Sequence, residues 1–338
     1  MKVDAVLAAR PTTAAERARI IEAASYHGAW IGETKHDPFL LAAVAATATT
    51  DVEIGTSVAI AFARSPMTVA LQAWDLAELS GGRFRLGLGT QVKAHITRRF
   101  SMPWSHPADR FLEYVQAVRA IWRAWRTGER LQFEGRFYQH TLMTPFFTPP
   151  PIAAELPPIF LAAVGTRMAE VAGETGDGLF FHTFSTTPYL REVMIPALRR
   201  GQEKSAREET YPFTVCGPVF VVTGETEESL AEARRRTKET IAFYASTPGY
   251  RPVLDHHGWG DIQPELTALS RAGRWSELGS LITDEVLEEF AVVGPPEEAG
   301  YSLVRRYHGL ADRVTLSAPY EVEPNAMARV VDAIRRHL

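Results

Sequence analysis

Short apolar runs with strand character recur along the chain, and each is followed by a segment whose apolar positions repeat at helical spacing. Residues 2–7 alternate, with Val3, Ala5 and Leu7 in phase. Residues 13–26 then predict a helix built on Ile20, Ile21 and Ala24, with Thr12 or Thr13 as cap and Glu16 in capping-box position. Residues 29–33 form a second short run. An alanine-rich helix over 38–50 follows, capped by Asp37 with Pro38 in its first turn. Residues 52–60 are β-branched and strand-like, and 66–79 is a helix capped by Ser65. Residues 84–89 and the amphipathic helix 108–125 make the fourth unit.

The rhythm then breaks. Residues 131–139, with Gly135 inside, predict a small hairpin. The stretch 145–158 holds six prolines and predicts an extended loop rather than a regular element. Strands over 159–163, 178–182 and 214–222 alternate with helices over 166–175, 188–205 and 225–244. A strand over 313–317 and a helix over 324–338 close the series. Eight strand–helix units in 338 residues favour a (β/α)8 barrel with insertions over a doubly wound sheet. No G-x-G-x-x-G follows the first strand, as a dinucleotide fold would want. One domain over 1–338 is expected, with insertions at about 128–158 and 246–290.

Composition narrows the class without naming a function. The chain carries 36 Lys and Arg against 40 Asp and Glu, a net charge of −4. That balance lacks the basic excess of a nucleic-acid binder. The single cysteine, Cys216, excludes an internal disulfide and leaves no thiolate cluster for a metal. The first residues hold too short an apolar run for a signal peptide, and no stretch approaches a membrane span. A cytoplasmic protein acting on a small molecule is the expectation, with neither nucleic acid nor membrane as partner.

Active sites of such barrels form at the carboxyl ends of the strands. That rule selects Glu33-Thr34-Lys35-His36-Asp37, Gly55-Thr56-Ser57-Val58, Gly87 through His95, Ala162 through Arg167, and His182-Thr183. At the fifth tip, Ala163-Val164-Gly165-Thr166 runs straight into a helix and offers free backbone N–H groups to a phosphate. From the residues alone, an ordinary strand–helix turn capped by Thr166 is the stronger reading. His36, beside Asp37 and near Glu33, has the make-up of a general acid or base, or else stands on the surface while Asp37 caps the next helix. Lys93 and His95 face the same choice between substrate contact and solvated loop. His256-His257 lacks metal-ligand spacing, so no metal is expected. Trp104, Trp122, Trp125, Trp259 and Trp275 read as packing residues.

Several segments together resemble the bacterial-luciferase-like superfamily of flavin monooxygenases and F420-dependent oxidoreductases. They are Ile54-Gly-Thr-Ser-Val58, residues 66–79, Leu79-Ser-Gly-Gly-Arg-Phe-Arg-Leu-Gly-Leu-Gly-Thr90, and residues 110–122. Leu161-Ala-Ala-Val-Gly165, Ala172-Gly-Glu-Thr-Gly-Asp-Gly178 and Val292-Val-Gly-Pro-Pro-Glu-Glu298 complete the set. The resemblance covers roughly 1–223 and 290–320. It implies a barrel holding a flavin or deazaflavin at its carboxyl end, with a non-proline cis peptide at Ser57–Val58 bulging behind the ring. Glu33, Thr34, Thr56, Ser57, Val58, Gly89, Thr90 and His182 would then contact the cofactor. Ala163, Val164, Gly165 and Thr166 would take its phosphate.

The departures from the family pattern matter as well. Thr34 stands where relatives place a His, and His36 falls two residues later. Val92 stands where deazaflavin sugar-phosphate dehydrogenases place a proton-donating Glu, which disfavours that activity. His36, Gln91 and His95 are left as the catalytic candidates. The reading is an oxidoreductase using coenzyme F420 to move a hydride to or from a small organic substrate. The alternative is a monooxygenase receiving reduced FMN. A flavin or F420 reductase would supply electrons, and a homodimer through the helices after strands two and three is expected. A structural barrel without turnover would have little reason to carry polar strand tips.

Overall fold

Alternation along each strand turns one set of side chains into a common lumen and the other toward the helices. The computed structural model describes residues 1–205 and 212–338. Eight parallel strands close into a ring: β1 (Lys2–Val6), β2 (Gly28–Ile31), β3 (Glu53–Thr56), β4 (Phe84–Gly89), β5 (Ile159–Ala163), β6 (Gly178–Phe181), β7 (Thr214–Val222) and β8 (Arg313–Ser317). Each pairs with the next, and β8 returns to β1 through Lys2 opposite Arg313. The chain is therefore a (β/α)8 barrel. The helices that follow the strands are α1 (Ala14–Ala23), α2 (Pro38–Ala48), α3 (Pro66–Leu79), α4 (Pro107–Thr127), α5 (Thr166–Thr175), α6 (Ile195–Gln202), α7 (Glu227–Ala245) and α8 (Pro324–His337).

Side-chain caps explain some of the helix starts. Asp37 Oδ1 accepts from the N–H groups of Phe39 and Leu40, and Ser65 Oγ accepts from Thr68 N–H. Thr13 differs from expectation. Its hydroxyl turns back to the backbone of Arg10 and caps nothing in α1. A short polar side chain before a helix has two local options, and here the turn at Arg10 wins. The stretch expected as one strand over 52–60 is two, broken at the cis Ser57–Val58 peptide, with Ala59–Ile60 pairing onto Leu88 and Gly89 of β4.

The lumen is filled from the base upward. Asp4, 0% exposed, accepts from Arg313 Nε at 2.8 Å and from Trp30 Nε1 at 2.8 Å. Arg313 also bonds Glu53, which Arg85 and Lys2 approach at 3.1 and 3.0 Å. Above this ionic plug lie Trp30, Phe160, Phe180 and Cys216, all buried. Trp30 and Phe180 meet edge to face at 4.9 Å. Cys216 is thus core, its thiol pushed up by burial. Val58 and Ala162 pack on top of this layer and are only partly buried, marking where the packed lumen ends and the mouth begins.

The extra chain lies in two stretches. In 128–158, the hairpin Phe133–Glu134 with Gln139–His140 is clamped by Glu113, whose carboxylate accepts from the N–H groups of Arg136, Phe137 and Tyr138. A Cβ at Gly135 would stand 2.1 Å from that carboxylate, so a larger residue here would displace Glu113 from the hairpin. The proline stretch contains one 3-10 turn, Pro145–Phe147, and otherwise runs as loop. In 246–290, short helices at Arg251–His256, Gln263–Arg271, Trp275–Leu278 and Asp284–Phe290 gather beside the carboxyl end of the barrel. His257 Nε2 lies 2.7 Å from Thr186 Oγ1, and Phe290 stacks on Phe184 at 4.5 Å. A short strand, Ala291–Val293, then adds to the edge of β7.

Candidate functional site

Small residues meet where the packed lumen ends. A Cβ at Gly89 would lie 2.6 Å from Val58 Cγ2 and 3.5 Å from Ala162 Cβ, and one at Gly32 would lie 3.4 Å from Ser57 O. A side chain at Gly89 is therefore excluded by the methyl groups of Val58 and Ala162 already in place. The floor consists of Ser57, Val58, Gly89 and Ala162, with the cis Ser57–Val58 peptide projecting from β3. Thr56 holds the bulge to β4: its Oγ1 donates to Gly87 O at 2.6 Å and accepts Gly87 N–H at 2.9 Å.

Glu33, at the strand-two tip, is tied behind this bulge. Its Oε2 accepts Ile60 N–H and Arg64 Nη1, both at 2.7 Å. The other arm of Arg64 reaches Asp37 at 2.7 Å. One guanidinium thus joins the strand-two tip to the turn after the bulge and pairs with both carboxylates of that edge, leaving the trio with one negative charge in excess. Sequence reasoning missed Arg64, because nothing local marks a pairing across 31 residues. Thr34 is exposed, and its carbonyl accepts from Arg99 Nη2 at 2.8 Å.

Gln91 takes a left-handed backbone, φ 60°, after Thr90. Such a conformation is uncommon outside glycine and costs about 1–3 kcal/mol where the surroundings enforce it. Its Oε1 accepts Val92 N–H at 2.9 Å, and Thr90 Oγ1 donates to Gln91 O, so the side chain closes its own turn. The turn launches the short helix Lys93–Arg98, anchored by Ile96, which is fully buried. His95 on this helix and His36 on the strand-two tip are both exposed. Both therefore sit on the rim of the mouth and outside its floor.

At the fifth tip, Gly165 is the N-cap of the ten-residue α5 and no side chain caps the helix. A Cβ at Gly165 would have nothing within 4 Å. The first N–H groups of α5 and the Thr166 hydroxyl thus border open space, as an anion requires. Ala163 is buried beneath, and Val164 O accepts from Tyr189 Oη at 3.2 Å. Arg167 beside them is engaged by Asp109 at 3.1 Å and Glu170 at 3.4 Å.

His182 closes the strand-six side. Its Nδ1 accepts Phe184 N–H at 3.0 Å, which leaves the proton on Nε2, and Nε2 donates to Tyr250 Oη at 3.2 Å. Burial lowers its pKa to about 4, so the ring is neutral near pH 7. Tyr250, pushed up to about 12 by burial and by Tyr244, remains a phenol. Tyr244 meets the imidazole edge-on at 4.7 Å. These two tyrosines bring the 246–290 stretch and the end of α7 onto the mouth.

Among the described residues, no group of three or more His, Cys, Asp or Glu side chains could hold a metal ion. None of their helices is long and apolar enough to cross a membrane. A cavity of about 680 Å³ lies at the opposite end of the barrel, lined by Met1, Arg199, His308 and Asp312 among others, remote from the strand tips.

The sequence profile described as luciferase-like monooxygenase matches residues 3–313. An uncharacterized protein of Mycobacterium tuberculosis is 48% identical over 93% of this chain and 92% of its own. The F420-dependent glucose-6-phosphate dehydrogenase of Gordonia bronchialis is 32% identical over 53% of each chain. Among solved structures, the coenzyme F420-dependent tetrahydromethanopterin reductase of Methanopyrus kandleri superposes with a TM-score of 0.78 at 17% identity, covering 99% of this chain and 98% of that one.

Proposed function

The chain belongs to the luciferase-like monooxygenase family, and from that premise we propose that it is an oxidoreductase using the deazaflavin coenzyme F420 on a small organic substrate. The observation that carries the reading is the pairing of a floor of backbone and methyl groups with an uncapped helix start at Gly165. A planar tricycle needs the first, and its phosphate needs the second. The F420-dependent name of a relative at 32% identity supports the choice of deazaflavin over flavin.

The residues present fit such a group. Ser57, Val58, Gly89 and Ala162 would bear on one ring face and leave the other to substrate. Thr90, Gln91 and the strand-two tip at Glu33 and Thr34 would border the ring edge, with Thr56 holding the bulge in place. Gly165 and Thr166 would donate to the phosphate, with Ala163 and Val164 setting the turn. The neutral His182, held by Tyr250, would orient against the ring system without adding charge. His36 and His95, at the rim, are the side chains available to take or give a proton. When bound, the cofactor supplies hydride transfer at its C5 position, and the barrel supplies position and electrostatics.

Reduced FMN with oxygen is the second reading, favoured by the family's monooxygenase members. Action in the cytoplasm, as a homodimer supplied by a reductase, belongs to both proposals. Titration of the purified protein with F420 and with FMN, followed by fluorescence quenching, separates them. Saturable F420 binding with weak FMN binding is expected. Tight FMN binding without F420 affinity overturns the leading reading.

A further inference from the structure

One arc of the rim is rich in cationic side chains. The segment 91–106 contains Lys93, Arg98 and Arg99 with His95 and His106, and no carboxylate. Arg99 docks its helix against the strand-two tip by donating to Thr34 O, which brings it beside Lys35 and His36. The two carboxylates of that tip, Glu33 and Asp37, are already taken by Arg64. Lys35, Lys93, Arg98 and Arg99 form no ion pair among the described residues, and all four are exposed. A chain of net charge −4 thus presents an excess of positive charge at this one edge of the mouth.

The opposite wall is of another kind. In a ring of eight strands, the sixth stands across from the second. There, His182, neutral and bonded to Tyr250, sits with Tyr244 and Phe184 in an aromatic group. Between the two walls lies the apolar floor of Val58 and Ala162.

We infer that the substrate is an organic acid with an apolar or aromatic body, its anionic group drawn to the Lys35–Lys93–Arg98 rim and its body placed toward Tyr244 and Tyr250. The inference rests on the proposed site at the barrel mouth but not on the identity of the cofactor. A local excess of one charge raises the concentration and capture rate of the opposite charge, and salt screens that effect. Neutral phenol and imidazole faces accept an apolar body without adding a second charge.

The test uses 2-naphthoate and its neutral isostere 2-naphthamide with the full-length protein, followed by ligand-observed NMR in phosphate-free buffer. Naphthoate is expected to bind about tenfold more tightly than the amide at low salt, the gap closing as salt rises. The Lys93→Gln, Arg98→Gln double variant is expected to lose most of that preference while still binding the amide as the parent does. Lys35→Gln, a separate exposed position, is expected to lose part of it, so a failure of the double variant to fold leaves the inference open to test. Equal binding of anion and amide to the parent, or full preference in the variants, overturns it. Failure of F420 to bind in the separate titration, with the naphthoate preference intact, would remove the cofactor reading and leave this one standing.

Discussion

His182 Nε2 and Tyr250 Oη lie 3.2 Å apart, joining the tip of β6 to a residue some seventy positions later in the chain. Because Nδ1 is already occupied by Phe184 N–H, the imidazole can make this contact only as the neutral Nε2–H tautomer. Protonation would place a second proton on Nδ1, against the Phe184 amide.

This predicts a specific pH dependence. Burial lowers the His182 pKa from 6.5 to about 4. Between those values the unfolded chain binds a proton that the folded chain refuses, so stability rises with pH across that window. The contribution is complete above about 6.5 and is lost as pH falls toward 4, by up to about 3 kcal/mol. Urea unfolding at pH 7 and pH 5 measures it. His182→Gln is expected to flatten the difference; an unchanged difference would mean that another group carries it.

Arg64 provides a second prediction. Its partner Glu33 is almost fully enclosed, with a side chain 7% exposed. Arg64→Ala leaves that carboxylate with Ile60 N–H alone and leaves Asp37 with its helix-cap bonds. Breaking a buried pair by removing one member costs about 3–5 kcal/mol, and the exposed Asp37 arm adds little. Chemical denaturation is expected to show a loss at the lower end of that range. The double change Arg64→Ala with Glu33→Gln should recover part of it, since no uncompensated charge remains. No recovery would place the loss in packing rather than charge.

The barrel was legible in the sequence because alternation and helical spacing are local properties repeated eight times. The strand tips followed from the rule for such barrels, and Ser57–Val58 followed from resemblance. What stayed illegible depends on distance. Arg64 answers to Glu33 and Asp37, and Glu113 to a hairpin more than twenty residues on. The segment over 52–60 reads as one strand because β-branching does not record where a backbone bulges. The helices of 246–290 are only one to three turns long, too short for a periodic pattern, so the stretch reads only as apolar and aromatic sequence. Thr13 failed as a cap because Arg10 offered its hydroxyl a closer partner.

The ionic plug at the base of the lumen should matter to stability and not to the mouth. Burial alone would raise the Glu53 carboxyl, but the charges of Arg313 and Arg85 overcome it and hold the pKa at about 2. A carboxylate lowered on folding contributes stability above its unfolded value of 4.5, and that contribution is lost as pH falls toward 2. Its size is about 3 kcal/mol, in an acid window below that of His182. Glu53→Gln is expected to lower the melting temperature at pH 7 and to weaken the acid dependence below pH 4.5. Ligand binding at 10 °C should change less than twofold, because the layer of Trp30, Phe160, Phe180 and Cys216 separates the plug from the floor. A large loss of binding with unchanged stability would contradict that separation.

Two glycines of the mouth are expected to fail in opposite ways when each gains one methyl group. At Gly89 the new Cβ would stand 2.6 Å from Val58 Cγ2, so Val58 or the bulge must move. Overpacking of this kind costs about 1–3 kcal/mol, and Gly89→Ala should lose stability together with affinity for every ring-bearing ligand. At Gly165 the backbone is in the ordinary extended region, φ −102°, and the new Cβ meets nothing within 4 Å. Gly165→Ala should therefore keep its stability to within about 0.5 kcal/mol. Its methyl group instead enters open space at the start of α5. It should weaken a phosphate-bearing ligand several-fold while sparing the same ring system without phosphate. Calorimetry with F420 and with its phosphate-free deazaflavin precursor distinguishes the two variants. If Gly165→Ala weakened both ligands equally, the helix start would be shaping the mouth rather than holding an anion.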